Sequence, residues 1–219
     1  YSDLLLRYGG RSDKNREEYA DIIKKESVRL SKLIDDFLDI SKIEEGIVDY
    51  NYQKLDIKEV IDHFVKLFQG EGKAHNIKIN CDTEENLPYI LGDKERLGQV
   101  FSNLLSNAIK FTPPEGSVNI KASCVEINKN SSEEQYIKVS VSDTGVGIPK
   151  ESLSTIFEKF VQVNRKDIKA TRGSGLGLTI VKDIIQHHGG NIAAESENGE
   201  GTTFTFTIKA LINEPAIND

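Results

Sequence analysis

The sequence predicts an α+β protein in which a long helical segment precedes a mixed domain of strands and helices. Three observations predict it. Residues 16–45 form an uninterrupted, charge-rich helical stretch. From Gly46 onward, short alternating runs trade places with amphipathic ones, as in an α+β domain. Closely spaced glycines stand where two of those runs end.

The stretch 16–45 contains neither Gly nor Pro, and Ile23, Ser27, Leu30, Ile34, Phe37 and Ser41 recur at alternating spacings of four and three. That is the periodicity of a coiled coil or helix bundle. Tyr19, Ile22, Leu33, Leu38, Ile40 and Ile43 widen the stripe beyond a two-helix seam, as a four-helix bundle requires. Ser12, Asp13 and Asn15 are N-cap candidates and Gly46 is the stop. A short helical piece, residues 2–8, precedes Gly9-Gly10, so the start reads as one helix, a turn and a long antiparallel second helix.

Beyond Gly46 we expect a strand at 47–52 and a helix from the Asp56 cap to Phe68, ended by residues 70–72. Strands at 77–81 and 89–91 lead to a helix at 94–111 that Thr112-Pro113-Pro114 stops. Strands at 117–127 and 135–142 flank a polar tip, 128–134, as a long hairpin. A helical piece around Phe157, a helix at 177–187, and strands at 191–195 and 202–209 joined at Asn198-Gly199 complete the order. The domains expected are 1–46, 47–209 and a tail or linker at 210–219.

A chain of 219 residues with 37% hydrophobic content can bury a sizeable core. Its net charge of −7 argues against a nucleic-acid partner, which needs a basic face. Cys81 and Cys124 match neither metal-ligand spacing nor a disulfide framework, and a reducing cytoplasm is the simpler setting. Apolar runs are only a few residues long, far short of the roughly 20 a membrane span needs. The chain begins at Tyr1 and contains no methionine, so it reads as part of a longer protein, and any membrane anchor belongs to that parent.

Within the 94–111 helix, Asn103, Asn107 and Lys110 fall at i, i+4 and i+7 and share one face. Leu97, Phe101, Leu104, Leu105 and Ala108 are apolar, so the polar stripe lies on a buried helix. Two helix asparagines taken alone more often satisfy neighbouring backbone than bind a ligand. Amide oxygens are nonetheless hard ligands suited to Mg²⁺, and a lysine reaches phosphate as a point charge. Asp143 ends a strand carrying Ile137, Val139 and Val141 and is followed by Gly145 and Gly147. A carboxylate there can accept the adenine amine, the glycines admit the base, and Ile148 supplies an apolar floor. In isolation Asp-Thr-Gly reads as an Asx turn, and an aspartic-protease dyad would need a second copy.

Gly173-Ser174-Gly175-Leu176-Gly177-Leu178 lacks the glycine a dinucleotide fingerprint places at 178, and no Gly-Lys-Ser/Thr completes a P-loop. What remains is a set of accessible N–H groups and a helix N-terminus favourable to phosphate. Arg165, Lys166, Lys169 and Arg172 just before it form either a phosphate lid or a solvated basic loop. Phe157 and Phe160 read as core packing, and His187 and His188 before Gly189-Gly190 as a structural helix cap. His63 and His75 are given no role.

Together these motifs resemble the kinase core of two-component sensor histidine kinases, whose ATP-binding fold is shared with type II topoisomerases, Hsp90 and mismatch-repair ATPases. Residues 93–112 resemble the family's N box, 143–149 its first glycine box, 156–160 its F box and 173–178 its second glycine box. The 16–45 helix, ending Ser41-Lys-Ile-Glu-Glu-Gly46, resembles the second helix of the dimerisation and phosphotransfer hairpin. The resemblance implies a two-layer α/β sandwich of the Bergerat type preceded by a helical-hairpin dimerisation segment. It implies that Asn107 holds Mg²⁺ with help from Asn103, that Lys110 contacts phosphate, and that Asn103 and Lys110 serve the transfer. Asp143 would read adenine, while Gly145, Gly147, Ile148 and residues Gly173, Ser174, Gly175, Leu176, Gly177 and Leu178 shape the pocket.

The implied partners are ATP and ADP, a response-regulator receiver domain, and a second copy of the chain through the hairpin. Two departures stand out. Gln162 occupies a position where many relatives carry arginine, leaving Arg165 or Arg172 to substitute. No His-Glu/Asp-x-Arg-Thr-Pro box is present, so the chain is expected to bind ATP without phosphorylating a histidine of its own. A regulatory ATP-binding scaffold that dimerises with another kinase is the alternative. An Hsp90-like ATPase is disfavoured because Asn103 stands where those relatives place a glutamate base, and an amide cannot take a proton from water.

Overall fold

A computed structural model describes Ser2 and residues 13–129, 132–163 and 174–211. The chain divides into two compact units between Val48 and Asp49. The first contains helix α1, Asp13–Glu45, of 33 residues. It ends with the Gly46 N–H on the Ile43 carbonyl and the Ile47 N–H on the Lys42 carbonyl, the paired bonds of a glycine-terminated helix. Val28, Leu30, Ile34, Phe37 and Leu38 on this helix are each at least half exposed.

The second unit contains β1 (Gln53–Leu55), α2 (Ile57–Ala74), β2 (Lys78–Thr83), β3 (Ile90–Gly92) and α3 (Lys94–Phe111). It continues with β4 (Ser117–Lys129), β5 (Ser132–Asp143), α4 (Lys150–Leu153), α5 (Gly177–His187), β6 (Ile192–Glu197) and β7 (Gly201–Lys209). Five strands form one sheet in the order β2-β4-β5-β7-β6, and β1 pairs with β3 separately. Only β2–β4 is parallel within the five.

The register explains the layering. Ile137, Val139 and Val141 lie opposite Ile208, Phe206 and Phe204, and all six are buried. Ser140 and Ser142 lie opposite Thr205 and Thr203 on the other face, which is only partly covered. Period-two alternation therefore gives the sheet one apolar face, and α2, α3 and α5 pack there as the second layer. Phe101 of α3 meets Phe206 edge-on with ring centroids 5.8 Å apart, at the centre of this core.

Several boundaries differ from expectation for reasons that lie outside the local sequence. The strand expected at 47–52 sits at Gln53–Leu55, because the preceding tyrosines bond to α5 instead: the Tyr50 hydroxyl to Asp183 at 3.2 Å and the Tyr52 hydroxyl to the His187 carbonyl at 2.7 Å. Helix α2 does not stop at Gly70–Gly72 but runs to Ala74. A Cβ on Gly72 would lie 2.9 Å from Ile79 Cδ1, so this glycine admits β2 against the helix instead of breaking it. The hairpin ladder extends to Lys129↔Ser132, while residues 130–131 lie outside the described residues. The helical piece expected around Phe157 is instead the single turn Lys150–Leu153. The tail is not free from residue 210: Ala210 is buried and bridges Ile90, and the Leu211 N–H bonds the Tyr89 carbonyl at 2.7 Å.

Phe206→Ala removes a fully buried ring from the junction of both layers. The expected loss is about 3–5 kcal/mol of unfolding free energy, read from the urea midpoint at unchanged slope. A loss below about 1 kcal/mol would place the core elsewhere.

Candidate functional site

Helix α3 positions the first set of residues because both its ends are fixed. The Asp93 carboxylate caps it, accepting from the Glu95 and Arg96 N–H groups at 2.9 and 3.0 Å. At the far end the Thr112 hydroxyl donates to the Ala108 carbonyl at 2.6 Å before two prolines block continuation. Asn103 is buried and its amide N–H lies 3.5 Å from the Gly177 carbonyl, at the first residue of α5. Asn107, one turn on, is half-buried, and Lys110 is exposed with its ammonium 4.9 Å from the Phe111 ring centroid.

The second set is the loop after β5. Asp143 continues the inward-facing series of Ile137, Val139 and Val141, so its carboxylate occupies the next position of the apolar face at the sheet's end. Oδ1 accepts the Gly145 N–H at 2.8 Å, an Asx turn. The turn expected as the bland reading is present in the very residue proposed for recognition. Burial pushes this carboxyl above the usual carboxylate range, and bonds from the Gly145 and Thr202 backbone N–H groups oppose the rise.

The loop is docked on α3. The Val146 N–H bonds the Phe111 carbonyl at 3.2 Å, and a Cβ on Gly145 would lie 2.5 Å from that oxygen. On its other side the loop meets the β6–β7 turn. The Ile148 N–H donates to Ser196 Oγ at 2.7 Å, Ser196 Oγ donates to the Gly201 carbonyl at 2.6 Å, and the Gly199 N–H bonds the Val146 carbonyl at 2.9 Å. Gly147 has φ +71°, and a side chain there would overlap the Glu197 carbonyl. Glycine is required on both counts.

The third set opens α5. The Ser174 hydroxyl accepts the Leu176 N–H at 3.2 Å, Leu176 is buried, and Leu178 is half-buried. Gly175 has φ +73° and a Cβ on it would lie 2.8 Å from the Phe160 carbonyl carbon. The Phe160 N–H bonds the Gly175 carbonyl at 3.0 Å, and the Thr179 hydroxyl bonds the Phe157 carbonyl at the same distance. Residues 156–160 are thus tied to the start of α5. Phe157 packs edge-on against Phe204, but Phe160 does not join the core: it is 64% exposed and holds φ +63°. Ile156 supplies the buried anchor instead. Gly173, Arg165, Lys166, Lys169 and Arg172 lie outside the described residues.

Asn103 and Gly177 therefore meet between α3 and α5, while the loop after Asp143 touches the end of α3 at Phe111, next to Lys110, through Gly145 and Val146. Asp143 also lines an acidic recess of about 350 Å³, together with Glu195, Glu197, Glu200 and Thr202. Its carboxylates repel polyphosphate, so it does not belong to the phosphate end of such a site. Sequence reasoning missed Ser196 and the Phe111 carbonyl, both of which act through partners remote in sequence and carry no local signal.

Residues 92–212 match the family described as histidine kinase-, DNA gyrase B-, and HSP90-like ATPase, and residues 1–46 match the His kinase A phospho-acceptor domain. The chain belongs to the histidine kinase-like ATPase family. It is 38% identical over 210 residues to the non-motile and phage-resistance protein of Caulobacter vibrioides, covering 95% of this chain and 24% of that one. Full-length ShkA in complex with AMPPNP superposes with a TM-score of 0.74 at 27% identity, over 91% of this chain and 40% of that one. Histidine kinase ThkA in complex with response regulator protein TrrA gives 0.69 at 25% identity, over 96% and 56%. The chain thus spans about a quarter of the length of that curated relative. The two-layer α/β arrangement is the ATP-binding fold of this family, and among the described residues no helix is long and apolar enough to cross a membrane.

Asp143 also sets a pH dependence. Its folded pKa is raised, so the folded state holds the proton more tightly than the unfolded one, and stability falls as pH rises through the raised value. Asp143→Asn keeps the acceptor for Gly145 and removes the charge. It is expected to be at least as stable as wild type near neutral pH and to lack that fall, measured by urea denaturation at acidic and neutral pH.

Proposed function

We propose that this chain is the catalytic core of a two-component sensor histidine kinase, binding Mg-ATP for phosphoryl transfer to a histidine and onward to a response-regulator aspartate. The observation that carries the reading is the convergence of Asn103 with the start of α5 at Gly177, beside a carboxylate loop docked on the end of the same helix. Each half of a nucleotide then has its counterpart. The Asp143 carboxylate accepts the adenine amine in a site floored by Ile148, and the N–H groups opening α5 meet phosphate oxygens. Lys110 adds a positive charge at the helix end nearest the loop.

The residues present fit Mg²⁺. Among the described residues no group of three or more His, Cys, Asp or Glu side chains could hold a metal, whereas Asn103 and Asn107 offer amide oxygens on one helix face. Few protein ligands of hard character suit an ion that keeps water and phosphate as most of its shell. Bound there, it would neutralise charge on the transferring phosphate. The chain's own residues bind and orient: Asp143 fixes the base, Asn107 and Asn103 the metal, Lys110 and the residues 173–178 the phosphates, with Arg165 or Arg172 as further cations.

The domain reading that goes with this function assigns 1–46 to the dimerisation and phosphotransfer hairpin and 47–209 to ATP binding. The row Leu30, Ile34, Phe37 and Leu38, each at least half exposed on one side of α1, supports a homodimer through this helix, since a stripe this apolar is buried in a bundle. All four histidines, at 63, 75, 187 and 188, follow the hairpin segment. The acceptor histidine is therefore supplied from outside these residues, and a receiver domain takes the phosphoryl group next, as the ThkA complex suggests by likeness.

Calorimetry with ATP, with and without Mg²⁺, tests the site. Wild type should bind more tightly with the metal, and Asn107→Ala should lose that gain by about tenfold or more, close to 1.4 kcal/mol. Asp143→Asn should weaken binding equally with and without metal. Equal Mg²⁺ gains in wild type and Asn107→Ala would remove Asn107 from the metal site.

A further inference from the structure

His188 is buried at the C-cap of α5, and both of its ring nitrogens are engaged. Nδ1 lies 2.7 Å from the Ile184 carbonyl, which can only accept, and Nε2 lies 2.9 Å from the Asp93 backbone N–H, which can only donate. These partners specify the neutral ring with the proton on Nδ1. Asp93 is the N-cap of α3. In a capping box the N-cap N–H is held by an acidic or amide side chain three residues on, but that position is Arg96, which carries no acceptor. His188 supplies the missing acceptor from another helix.

The placement of this bond gives it reach. The end of α5 meets the start of α3 at His188–Asp93, and the start of α5 meets the middle of α3 at Gly177–Asn103, so the two helices run antiparallel. From Asp93 to Asn103 is ten residues along α3, and from His188 to Gly177 is eleven along α5. At 1.5 Å per residue both spans are about 15–17 Å. The two contacts act as rungs of matched spacing, one buried at the start of α3, the other at its middle beside the opening of α5. A Cβ on Gly92 would lie 3.2 Å from His188 Cδ2, so the ring sits directly against the chain before Asp93.

We propose that His188 is a positioning residue for the nucleotide site: by accepting the Asp93 N–H it fixes the axial register of α5 on α3, and so the placement of the second glycine box against Asn103. The inference rests on the Mg-ATP reading above and extends it to a residue that touches no nucleotide.

Protonation would put an N–H against the Asp93 N–H, two donors facing each other, so the seated ring must stay neutral. The charged and titratable groups around it are Asp93 and Arg96 at the start of α3, Asp183 and His187 on its own helix, and Tyr50 and Tyr52 from the segment before β1. Burial pushes the His188 pKa below 6.5, outweighing the pull of Asp93 and of the Ile184 carbonyl. A displaced or unfolded ring takes the proton first, so the seated arrangement is fully stable above about pH 6.5 and weakens as pH falls below it.

The test has two arms. In the nucleotide-free chain, the Asn103 side-chain amide and the Gly177 backbone amide are followed by NMR as pH is lowered, alongside the His188 Cε1 proton. The register proposal expects all three to share one midpoint, and signals from Asn103 and Gly177 that ignore the His188 midpoint would overturn it. This arm stands whether or not the chain binds ATP. In the second arm, Mg-ATP affinity is measured against pH. Wild type should weaken several-fold on acidification, while His188→Gln, whose amide oxygen can accept the Asp93 N–H but takes up no proton, should bind like wild type at neutral pH and stay flat. His188→Ala should bind about tenfold more weakly at neutral pH, having left that N–H without a partner. Wild-type affinity in a folded His188→Ala, or identical pH profiles in wild type and His188→Gln, would contradict the proposal. Should His188→Ala not fold, the wild-type NMR titration decides alone.

Discussion

At the last turn of α3 the Phe111 carbonyl has no partner within its own helix, as for every helix end. It accepts the Val146 N–H, and the loop carrying Asp143 hangs from that bond. One helix thus presents Asn103, Asn107 and Lys110 from its side and the carboxylate loop from its end. Their separation is set by helix geometry, which varies little. Everything else in the site holds this helix or meets it.

The holding is done from three directions. Phe101 sinks into the sheet beneath α3, Asp93 and His188 fix its start, and the β6–β7 turn presses the loop from behind through Ser196. These contacts are short, directional and mostly backbone to side chain, so they fix orientation as well as distance. A phosphoryl-transfer site needs that, since positioning and charge neutralisation are the protein's main contributions to the reaction. The Asp143 carboxyl shows what such placement costs, because burial there disfavours its charged form. A side chain kept there against its own solvation is the kind that function retains.

Much of this was legible in the sequence where the determinants are local. Asp93 before an apolar-periodic run and Thr112-Pro113-Pro114 after it delimit α3 to the residue, and Gly177 to His187 of α5 was equally clear. The motif residues Asn103, Asp143 and Gly175 are spaced by those elements and could be read with them. What escaped was non-local. Gly72 looked like a helix stop because only Ile79, brought up by β2, makes a glycine necessary there. Tyr50 and Tyr52 looked like strand residues because Asp183 and the His187 carbonyl are over a hundred positions away. Phe160 looked like core, yet its backbone, not its ring, makes the contact that matters. His188 looked like a simple cap, and its bond to Asp93 has no trace in either local pattern.

The central claim is that the three motifs form one nucleotide site organised on α3. Titrating Mg-ATP into the chain while following assigned amide signals tests it most directly. The account predicts that the side-chain amides of Asn103 and Asn107 and the backbone amides of Gly145, Gly147, Gly175 and Gly177 shift together and saturate at a single concentration. Shifts confined to the acidic recess around Glu195, Glu197 and Glu200, or saturation of the three motifs at different concentrations, would contradict it.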